Sequence, residues 1–478
     1  MIKPLDLQNL SRRFGGEVIN NSHAVHFSSV SINTRIMNAG DLFIAIKGDQ
    51  FDGHKFVASA QSQGAIALVV EKEILDSDLP QWLVGDTTLA LGHIAEAQRD
   101  NFLGKIVAIT GSSGKTTVKG MLESILRVAV SDHVFATKGN LNNHIGVPLS
   151  LLSLKSQHQY AVIEMGASAV GEIQYLTQMA KPDVAMINNV MSAHVEGFGS
   201  IDNIAKGKGE IYNGLTSAGI AVINIADKYA PQWLEQNSQR QTLLFSASTA
   251  TSNAMGMNSV ANVTATNIIA TNVKQKHNGC AKFDLQLLEK STEINLSVLG
   301  MHNVANALAA STCAYALNIS IEDIAQGLSE FTGVAGRLQC LEGVNASTVI
   351  DDSYNANPNS FCAAIDVLSD MSAKTVLVMG DMAELGGDSD SEHEKIGCYA
   401  NEKNIDLLLT LGQQSEKASK VFSGDKQHFD SVEQLITVAA QQANKSTVLL
   451  IKGSRSSRMD RVVQALTQRG DFNASLAG

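Results

Sequence analysis

The chain has 478 residues, of which 44% are hydrophobic and 17% are charged, and its formal net charge is −11. This composition is typical of a globular protein, and the length predicts about three domains. The acidic balance argues against a broad nucleic-acid-binding surface. No apolar run reaches the roughly 18 residues of a membrane-spanning helix. We therefore expect neither a nucleic-acid partner nor a membrane span.

The five cysteines lie far apart in the sequence, and none belongs to a C-x-x-C pair. This spacing predicts reduced thiols rather than a disulfide framework or a zinc site. The first residues also lack the apolar core of a signal peptide. Both features favour a cytoplasmic protein.

Residues 1–85 are predicted to form a small α/β domain. Strand-like apolar runs at residues 41–46 and 65–70 flank a polar, helix-compatible stretch at residues 53–64. That spacing is typical of a strand–helix–strand crossover.

Residues 106–117 carry the most specific motif in the chain. Residues 106–110 predict a buried strand, and apolar positions recur with the helical period over residues 118–126. The turn between them, T-G-S-S-G-K-T-T at residues 110–117, is typical of a loop whose backbone N–H groups bind phosphates at the start of a helix. There Lys115 can reach the outer phosphates and the Thr116 hydroxyl can bind Mg²⁺. We predict a nucleoside triphosphate site; the alternative is a turn that merely ends a strand.

The loop departs from the strict pattern G-x-x-x-x-G-K-[ST], because Ile109 occupies the position of the first glycine. This departure points away from the GTPases and the transport ATPases.

Residues 86–334 are predicted to form the largest domain. Buried strands at residues 160–164, 183–188 and 219–224 alternate with helical patterns, which favours a mostly parallel sheet. Residues 246–300 break this alternation and predict an antiparallel extension, followed by a helix over residues 303–317.

Residues 335–478 repeat the α/β pattern, with strands predicted at residues 375–379, 406–410 and 447–451. The fold class is therefore α/β with three domains. A central P-loop domain with a mostly parallel sheet is flanked by a small N-terminal α/β domain and a C-terminal Rossmann-like α/β domain.

Polar residues follow two strands of the central domain. Glu164 ends one predicted strand, and His194 lies shortly after the next. Ligands collect beyond the carboxyl ends of parallel strands, so both could bind magnesium beside a triphosphate. Alternatively, Glu164 is a paired buried acid and His194 a surface histidine. The lysines at 206 and 208 would, on composition alone, form a solvated basic helix face.

Nine motifs then occur in order over nearly the whole chain and resemble those of the Mur ligase family. They are T-G-S-S-G-K-T-T, V-I-E-M-G-A, H-V-E-G-F, A-K-G-K-G-E-I-Y, H-N-V-A-N-A-L-A-A, G-R-L-Q, D-D-S-Y-N-A-N-P, G-D-M-A-E-L-G and K-G-S-R-S. The resemblance implies that the three domains bind, in order, a UDP-sugar peptide, ATP and the incoming amino compound.

The resemblance also implies the nucleotide and metal contacts. Asn303 would lie near the adenine, Arg337 would contact the phosphates, and Asp352 would hold the ribose. Asn303 could equally be a helix N-cap. The phosphates would be held by Thr110, Gly111, Ser112, Ser113, Gly114, Lys115, Thr116 and Thr117. Magnesium would be bound by Thr116, Glu164, His194 and Lys208.

Lys208 matches the family's modified lysine, which carbon dioxide converts to a carbamate, although Lys206 is close in sequence. A carbamate supplies an anionic oxygen of the kind that magnesium prefers, whereas an ammonium would be repelled.

The implied substrates are UDP-N-acetylmuramoyl-tripeptide and D-Ala-D-Ala. The substrate contacts implied by motif matches are Thr34, Arg35, Asn140, Asn143, Tyr354, Asn355, Asn357, Lys452, Ser454 and Arg455. The family usually has Asp at the position of Asn33, so Thr34 and Arg35 are the better candidates there. The Gly/Asn-rich segment around Asn140 could otherwise be a simple turn.

The implied activity is an ATP-dependent amide ligase of peptidoglycan precursor synthesis, acting as a monomer. Two alternatives stay open. One is a sibling ligase, either another Mur enzyme or a folylpolyglutamate synthetase. The other is a nucleotide-hydrolysing switch or binding protein, for which the full G-x-x-x-x-G-K-[ST] loop would be expected.

Overall fold

A computed structural model describes residues 1–20, 23–48, 51–191, 195–247, 266–276 and 279–467. The chain forms two compact units that are each built from separate segments. The first unit contains Met1–Thr110, Val130–Met186 and Gly207–Ala221. The second contains Gly111–Ala129, Ile187–Lys206 and the chain from Val222 on.

The N-terminal region of the first unit contains a five-stranded sheet of order β2-β7-β6-β5-β4. Strands β4 to β7 pair in parallel, and β2 is antiparallel to β7. The predicted crossover from β5 to β6 is confirmed, with a 3₁₀ turn at Gly53–Phe56 before its helix. The strands are β1 Leu5–Asp6, β2 Glu17–Ile19, β3 His26–Phe27, β4 Val30–Ser31, β5 Leu42–Ile44, β6 Ala67–Val70 and β7 Gln81–Leu83, and the helices are α1 Leu7–Phe14, α2 Val57–Ser62 and α3 Thr87–Arg99.

The first unit contains four further strands, and β8 among them leads into the phosphate-binding loop. Strand β8 pairs in parallel with β10, which pairs in parallel with β9. Glu164 lies opposite Ile109 in this register, so the predicted acid ends the strand next to β8. These elements are β8 Lys105–Thr110, β9 Val134–Ala136, β10 Tyr160–Glu164 and β11 Val184–Ile187, with helices α5 Gly146–Leu152 and α6 Glu172–Ala180.

Helix α4, Lys115–Val130, follows β8 after the loop, as predicted. Its buried apolar side chains are the positions that predicted the helix, namely Val118, Met121, Leu122, Ile125 and Leu126. Later in the chain lie α7 Val195–Phe198, α8 Ile201–Gly209, a 3₁₀ turn at Glu210–Gly214 and β12 Ile220–Asn224.

The second unit holds the extension that the sequence predicted. Strands β14, β15 and β16 pair antiparallel, but β14 is parallel to β13. Part of the predicted range, residues 248–265 and 277–278, lies outside the described residues. The elements are α9 Ala230–Gln236, β13 Thr242–Ser246, β14 Thr266–Gln275, β15 Cys280–Leu287, β16 Lys290–Leu299, α10 His302–Ala316 and α11 Ile321–Glu330.

The C-terminal region has a six-stranded sheet of order β17-β18-β22-β19-β20-β21. The strands from β18 to β21 in this order are parallel, and β17 pairs antiparallel with β18. The strands are β17 Gln339–Glu342, β18 Thr348–Asp352, β19 Lys374–Gly380, β20 Leu407–Leu411, β21 Asp425–Phe429 and β22 Thr447–Lys452. The helices are α12 Pro358–Ser369, α13 Ser389–Glu402, α14 Ser415–Val421, α15 Val432–Gln442 and α16 Asp460–Thr467, with 3₁₀ turns at Val344–Ala346, Gly386–Asp388 and Arg455–Ser457.

This sheet brings distant residues to one edge. Apolar side chains of α12, α13 and α14 cover one face, and those of α15 and α16 cover the other. Asp352 at the end of β18 is the register partner of Lys452 at the end of β22. The carboxyl edge therefore aligns two residues that lie 100 positions apart in the sequence.

The five cysteines are free, as predicted. Across the described ranges, no helix is both long and apolar enough to cross a membrane.

Candidate active site

The phosphate-binding loop is fixed by the two asparagines that follow β11. The Ser112 N–H donates to the Asn189 carbonyl at 2.9 Å, and the Ser113 N–H donates to Asn189 Oδ1 at 2.9 Å. Asn188 Nδ2 donates to the Ser113 carbonyl at 3.0 Å. Lys115 Nζ folds back and donates to the Gly111 carbonyl at 2.7 Å, at the first turn of α4. These hydrogen bonds fix the shape of the loop, and its lysine lies where the phosphates are expected.

A chain of side-chain amides continues from the loop into α10. Asn188 Nδ2 donates to Asn306 Oδ1 at 2.9 Å, and Asn306 Nδ2 donates to Asn303 Oδ1 at 2.7 Å. Asn303 Nδ2 in turn donates to the Leu299 carbonyl at 2.7 Å. The N-cap alternative for Asn303 is wrong, because Met301 occupies that position. Asn303 instead positions Asn306, which contacts the residue that holds the loop.

Gly114 lies where this network meets the loop, with φ of 77°. A Cβ at this position would overlap Asn188 Nδ2 and lie 2.5 Å from Asn306 Oδ1. Both a left-handed backbone and the absence of a side chain are therefore required here.

We expect Gly114→Ala to weaken ATP binding by about tenfold or more, because the methyl group must displace the amides that shape the loop. Gly40→Ala is the matched control, since Gly40 has φ of 94° and no atom within 4 Å of the added Cβ. It carries the same kind of backbone strain, about 1 kcal/mol, without the collision. Calorimetric titration with ATP checks both variants. Equal affinities would mean that the amide network does not shape the loop.

Two cavities adjoin the loop, and residues of the second unit line both. The smaller, about 250 Å³, is bordered by Thr116, Asn303, Arg337, Asp352 and Lys452. The larger, about 1030 Å³, is bordered by Lys115 and Arg337 together with residues after β18 and β22. The predicted substrate contacts on its wall are Asn355, Asn357, Ser454 and Arg455. The structure therefore brings together predicted nucleotide and substrate residues from four separate parts of the chain.

Tyr354 supports two arginines at this site. The Arg337 guanidinium lies 4.2 Å from the centre of the Tyr354 ring, and that of Arg455 lies 5.5 Å from it. Within the described part of the chain, the buried Arg337 Nε finds no hydrogen-bond partner. A buried guanidinium N–H that lacks an acceptor suits an anionic ligand such as a phosphate.

Asp352 and Lys452 form a buried ion pair beside the smaller cavity. Lys452 Nζ lies 2.5 Å from Asp352 Oδ2, and the side chains are 2% and 9% exposed. Asp352 Oδ1 accepts the Leu338 N–H at 3.2 Å. Burial lowers the pKa of Lys452, and the charge on Asp352 opposes that shift.

The predicted metal ligands lie in separate parts of the sequence. Glu164 is buried in the first unit, where Asn142 Nδ2 donates to its Oε1 at 2.8 Å. Lys208 is buried on α8, whereas Lys206 is exposed. His194 lies outside the described residues. Of the residues that are described, no three His, Cys, Asp or Glu side chains lie close enough together to hold a metal ion by themselves.

Several predicted residues have local structural roles. Thr110 at the end of β8 is fully buried. Asn143 Oδ1 accepts the Gly146 N–H at 2.8 Å, in keeping with the turn alternative for that loop. Asn357 caps α12 in a reciprocal capping box with Ser360. Thr34 and Arg35 lie in the turn after β4, where Arg35 is exposed; Asn140 is also exposed.

Helix α4 is anchored far from its ligand-binding end. Ser124 Oγ donates to the Gly327 carbonyl of α11 at 2.7 Å. A Cβ at Gly327 would overlap the backbone of Ile125, and one at Gly120 would lie 2.9 Å from the Phe331 ring. The segment that leads to Arg337 therefore packs directly on the helix that begins with Lys115.

Comparison with known proteins places this architecture among ligases. Family profiles match residues 26–99 (Mur ligase family, catalytic domain), 109–314 (Mur ligase middle domain) and 336–455 (Mur ligase, glutamate ligase domain). The chain belongs to the Mur ligase family.

Individual members agree over nearly the full length. The chain is 41% identical to the UDP-N-acetylmuramoyl-tripeptide–D-alanyl-D-alanine ligase of Escherichia coli K12, over 93% of this chain and 95% of that protein. MurF from Acinetobacter baumannii has a solved structure with TM-score 0.86 and 34% identity, covering 98% of this chain and 99% of that one. MurF from Thermotoga maritima in complex with ADP has TM-score 0.78 and 30% identity, covering 94% and 98%.

Proposed function

We propose that the chain is an ATP-dependent ligase that joins D-Ala-D-Ala to UDP-N-acetylmuramoyl-tripeptide, a late step of peptidoglycan precursor synthesis. The observation that carries the proposal is the larger cavity, where Lys115 and Arg337 face the same space as Asn355, Ser454 and Arg455. At about 1030 Å³ it has room for reacting groups beside a nucleotide. The names of the full-length relatives supply the substrates.

The reaction divides into two displacements. The terminal carboxylate of the tripeptide attacks the γ-phosphorus of ATP, which gives an acyl phosphate and ADP. The amine of D-Ala-D-Ala then attacks the acyl carbon and phosphate departs from the tetrahedral intermediate. Lys115 and Arg337 neutralise the charge that develops on the transferred phosphoryl group, and positioning supplies most of the remaining acceleration.

Tyr354 contributes by holding two guanidiniums at the cavity wall. Because Arg337 and Arg455 stack on one ring, their relative position is set before any substrate enters. Arg337 is assigned to the phosphates and Arg455 to the substrate that enters the C-terminal region. The three proposed binding domains are residues 1–85, 86–334 and 335–478. The uridine part of the substrate would bind at Thr34 and Arg35, and its muramyl part at Asn140 and Asn143.

Magnesium is proposed at Thr116 and Glu164, with His194 and a carbamate on Lys208 as further ligands. A hydroxyl and a carboxylate are the oxygen donors that this ion prefers. Bound magnesium would neutralise phosphate charge. Lys208 is buried and Lys206 is exposed. This favours Lys208 as the modified residue, because burial in general disfavours a charged ammonium and the carbamate forms from the neutral amine.

The proposal is tested by measuring phosphate release and product mass with purified protein, ATP, magnesium, bicarbonate and UDP-N-acetylmuramoyl-tripeptide. D-Ala-D-Ala should raise phosphate release strongly and yield the pentapeptide product. Diaminopimelate and glutamate, the substrates of sibling ligases, should not. Phosphate release that is independent of both wall precursors, without pentapeptide, would instead identify a nucleotide hydrolase.

We further expect the enzyme to act as a monomer in the cytoplasm. Size-exclusion chromatography with light scattering checks the first expectation and cell fractionation checks the second.

A further inference from the structure

Lys452 differs from the other cations of the site because it is almost fully enclosed. Its residue is 1% exposed, whereas Arg455, three positions later, is exposed. Two of its three N–H donors are already used, one by Asp352 Oδ2 at 2.5 Å and one by the Asn355 carbonyl at 3.1 Å. The Phe361 ring lies 5.5 Å from Nζ and covers a further side of the ammonium. These contacts leave little of the charge for a substrate.

The two acceptors of Lys452 lie at either end of one short loop. Asp352 ends β18, and Asn355 lies three residues later. Between them, Tyr354 carries the ring on which Arg337 and Arg455 stack. Lys452 therefore fixes both the carboxylate beside the smaller cavity and the path of the backbone that presents Tyr354.

We propose that Lys452 is a positioning residue, which holds the Asp352 carboxylate and the Asn355 carbonyl in place for nucleotide binding and does not itself bind substrate. The inference rests on the proposed function as an ATP-dependent ligase, because it takes Asp352 and Asn303 on the wall of the smaller cavity as nucleotide contacts. It differs from the sequence-based prediction, in which Lys452 contacted substrate.

The placement of the Asp352 carboxylate depends on this lysine. Without the ammonium, the carboxylate would stay buried with no paired cation, and the Asn355 carbonyl would lose a donor. Two other titratable groups lie near the pair, Arg337 and His302. Burial lowers the pKa of Lys452, and the charge on Arg337 lowers it further. Burial lowers the pKa of His302, and the nearby charge on Asp366 opposes that shift. Removing the ammonium alone would take this donor from Asp352 Oδ2 and from the Asn355 carbonyl, so that neither would be held in place for the nucleotide.

The test compares ADP affinity by calorimetry at neutral pH. We expect Lys452→Met to weaken ADP binding on the order of tenfold, the free energy of one pKa unit of interaction. The KM for ATP should rise in parallel with the Kd for ADP. The wild type gives the reference values.

A double variant, Lys452→Met with Asp352→Asn, separates positioning from misfolding. It has no unpaired buried charge, so it should melt at a higher temperature than Lys452→Met. Its ADP affinity should stay below that of the wild type, because the ammonium that holds the Asn355 carbonyl is still absent. Lys374→Met is the matched control, because Lys374 begins the neighbouring strand β19, where it is exposed and donates to Gln442 Oε1 at 2.9 Å. The ADP affinity and melting temperature of this variant should equal those of the wild type.

Two results would overturn the inference. One is a Lys452→Met variant that binds ADP like the wild type and has a raised KM for D-Ala-D-Ala alone, which would mean direct substrate contact. The other is a double variant with wild-type ADP affinity. Because ADP binding is read without ligation, a failure of the wild type to use D-Ala-D-Ala would contradict the proposed function and leave this inference standing.

Discussion

Lys115→Met is expected to lower kcat by about three orders of magnitude, the size of effect found when a charge-stabilising group is removed from a phosphoryl-transfer site. Lys115 begins α4, and its Nζ lies 2.7 Å from the Gly111 carbonyl, inside the loop that receives the phosphates. Methionine preserves the length and the apolar stem of the side chain, so the fold should persist. Steady-state ligation kinetics with both wall precursors measure the loss.

Lys290→Met is the control for Lys115→Met, because Lys290 is an exposed lysine at the start of β16. It should retain wild-type kcat. If Lys115→Met kept more than about a tenth of wild-type kcat, the loop would not be the site of phosphoryl transfer.

Lys208→Ala is expected to abolish nearly all ligase activity, because it would remove the proposed carbamate oxygen. A short carboxylate such as acetate or formate should restore part of the activity by placing an anionic oxygen in the space that the side chain vacates. Lys206→Ala is the matched control on the same helix, and it should stay active, because Lys206 is exposed and Lys208 is buried.

A second measurement separates carbamate loss from misfolding. Isotope-labelled bicarbonate should give a carbamate signal in the NMR spectrum of the wild type and of Lys206→Ala, and none in that of Lys208→Ala. Full activity of Lys208→Ala without added carboxylate would refute the modification, and so would a carbamate signal that persists in that variant.

The loop and the helix after it were predictable because their signal is local. The strand Lys105–Thr110 and the helix Lys115–Val130 are joined by four residues, and the helical period of the buried residues is visible in one window. The position of Glu164 at the end of a strand was predictable for a related reason. Glu164 ends a continuous apolar run, and such a run is typical of a buried parallel strand, at whose carboxyl end ligands bind.

The amide network could not be predicted, because its members are distant in sequence. Asn188 and Ser113 are 75 residues apart, and Asn188 and Asn306 are 118 apart. One signal was available for Asn188 and Asn189, since Asn188 ends a predicted buried strand and Asn189 follows it, at the edge where ligands bind. Asn303 was predicted to lie near the adenine or to cap its helix. The cap is excluded, and the Asn303 side chain donates to the Leu299 carbonyl, a contact that the sequence did not indicate.

The role of Lys452 was hidden for the same physical reason. In the sequence, K-G-S-R resembles a loop that presents several polar side chains to a ligand. The register of β18 against β22, which no local pattern specifies, places Lys452 opposite Asp352 and encloses it. Burial separates Lys452 from Arg455, and burial follows from strand order rather than from residue type.

The contact between α4 and α11 has a consequence for interpreting inherited or selected changes in this enzyme. Gly327 lies 203 positions from Ser124 and lines neither of the two cavities. Any side chain at Gly327 would overlap the backbone of Ile125 and displace helix α4, whose first residue is Lys115. A mutation at such a remote glycine would therefore present in the laboratory as poor use of ATP, and a search confined to the active-site lining would overlook its cause.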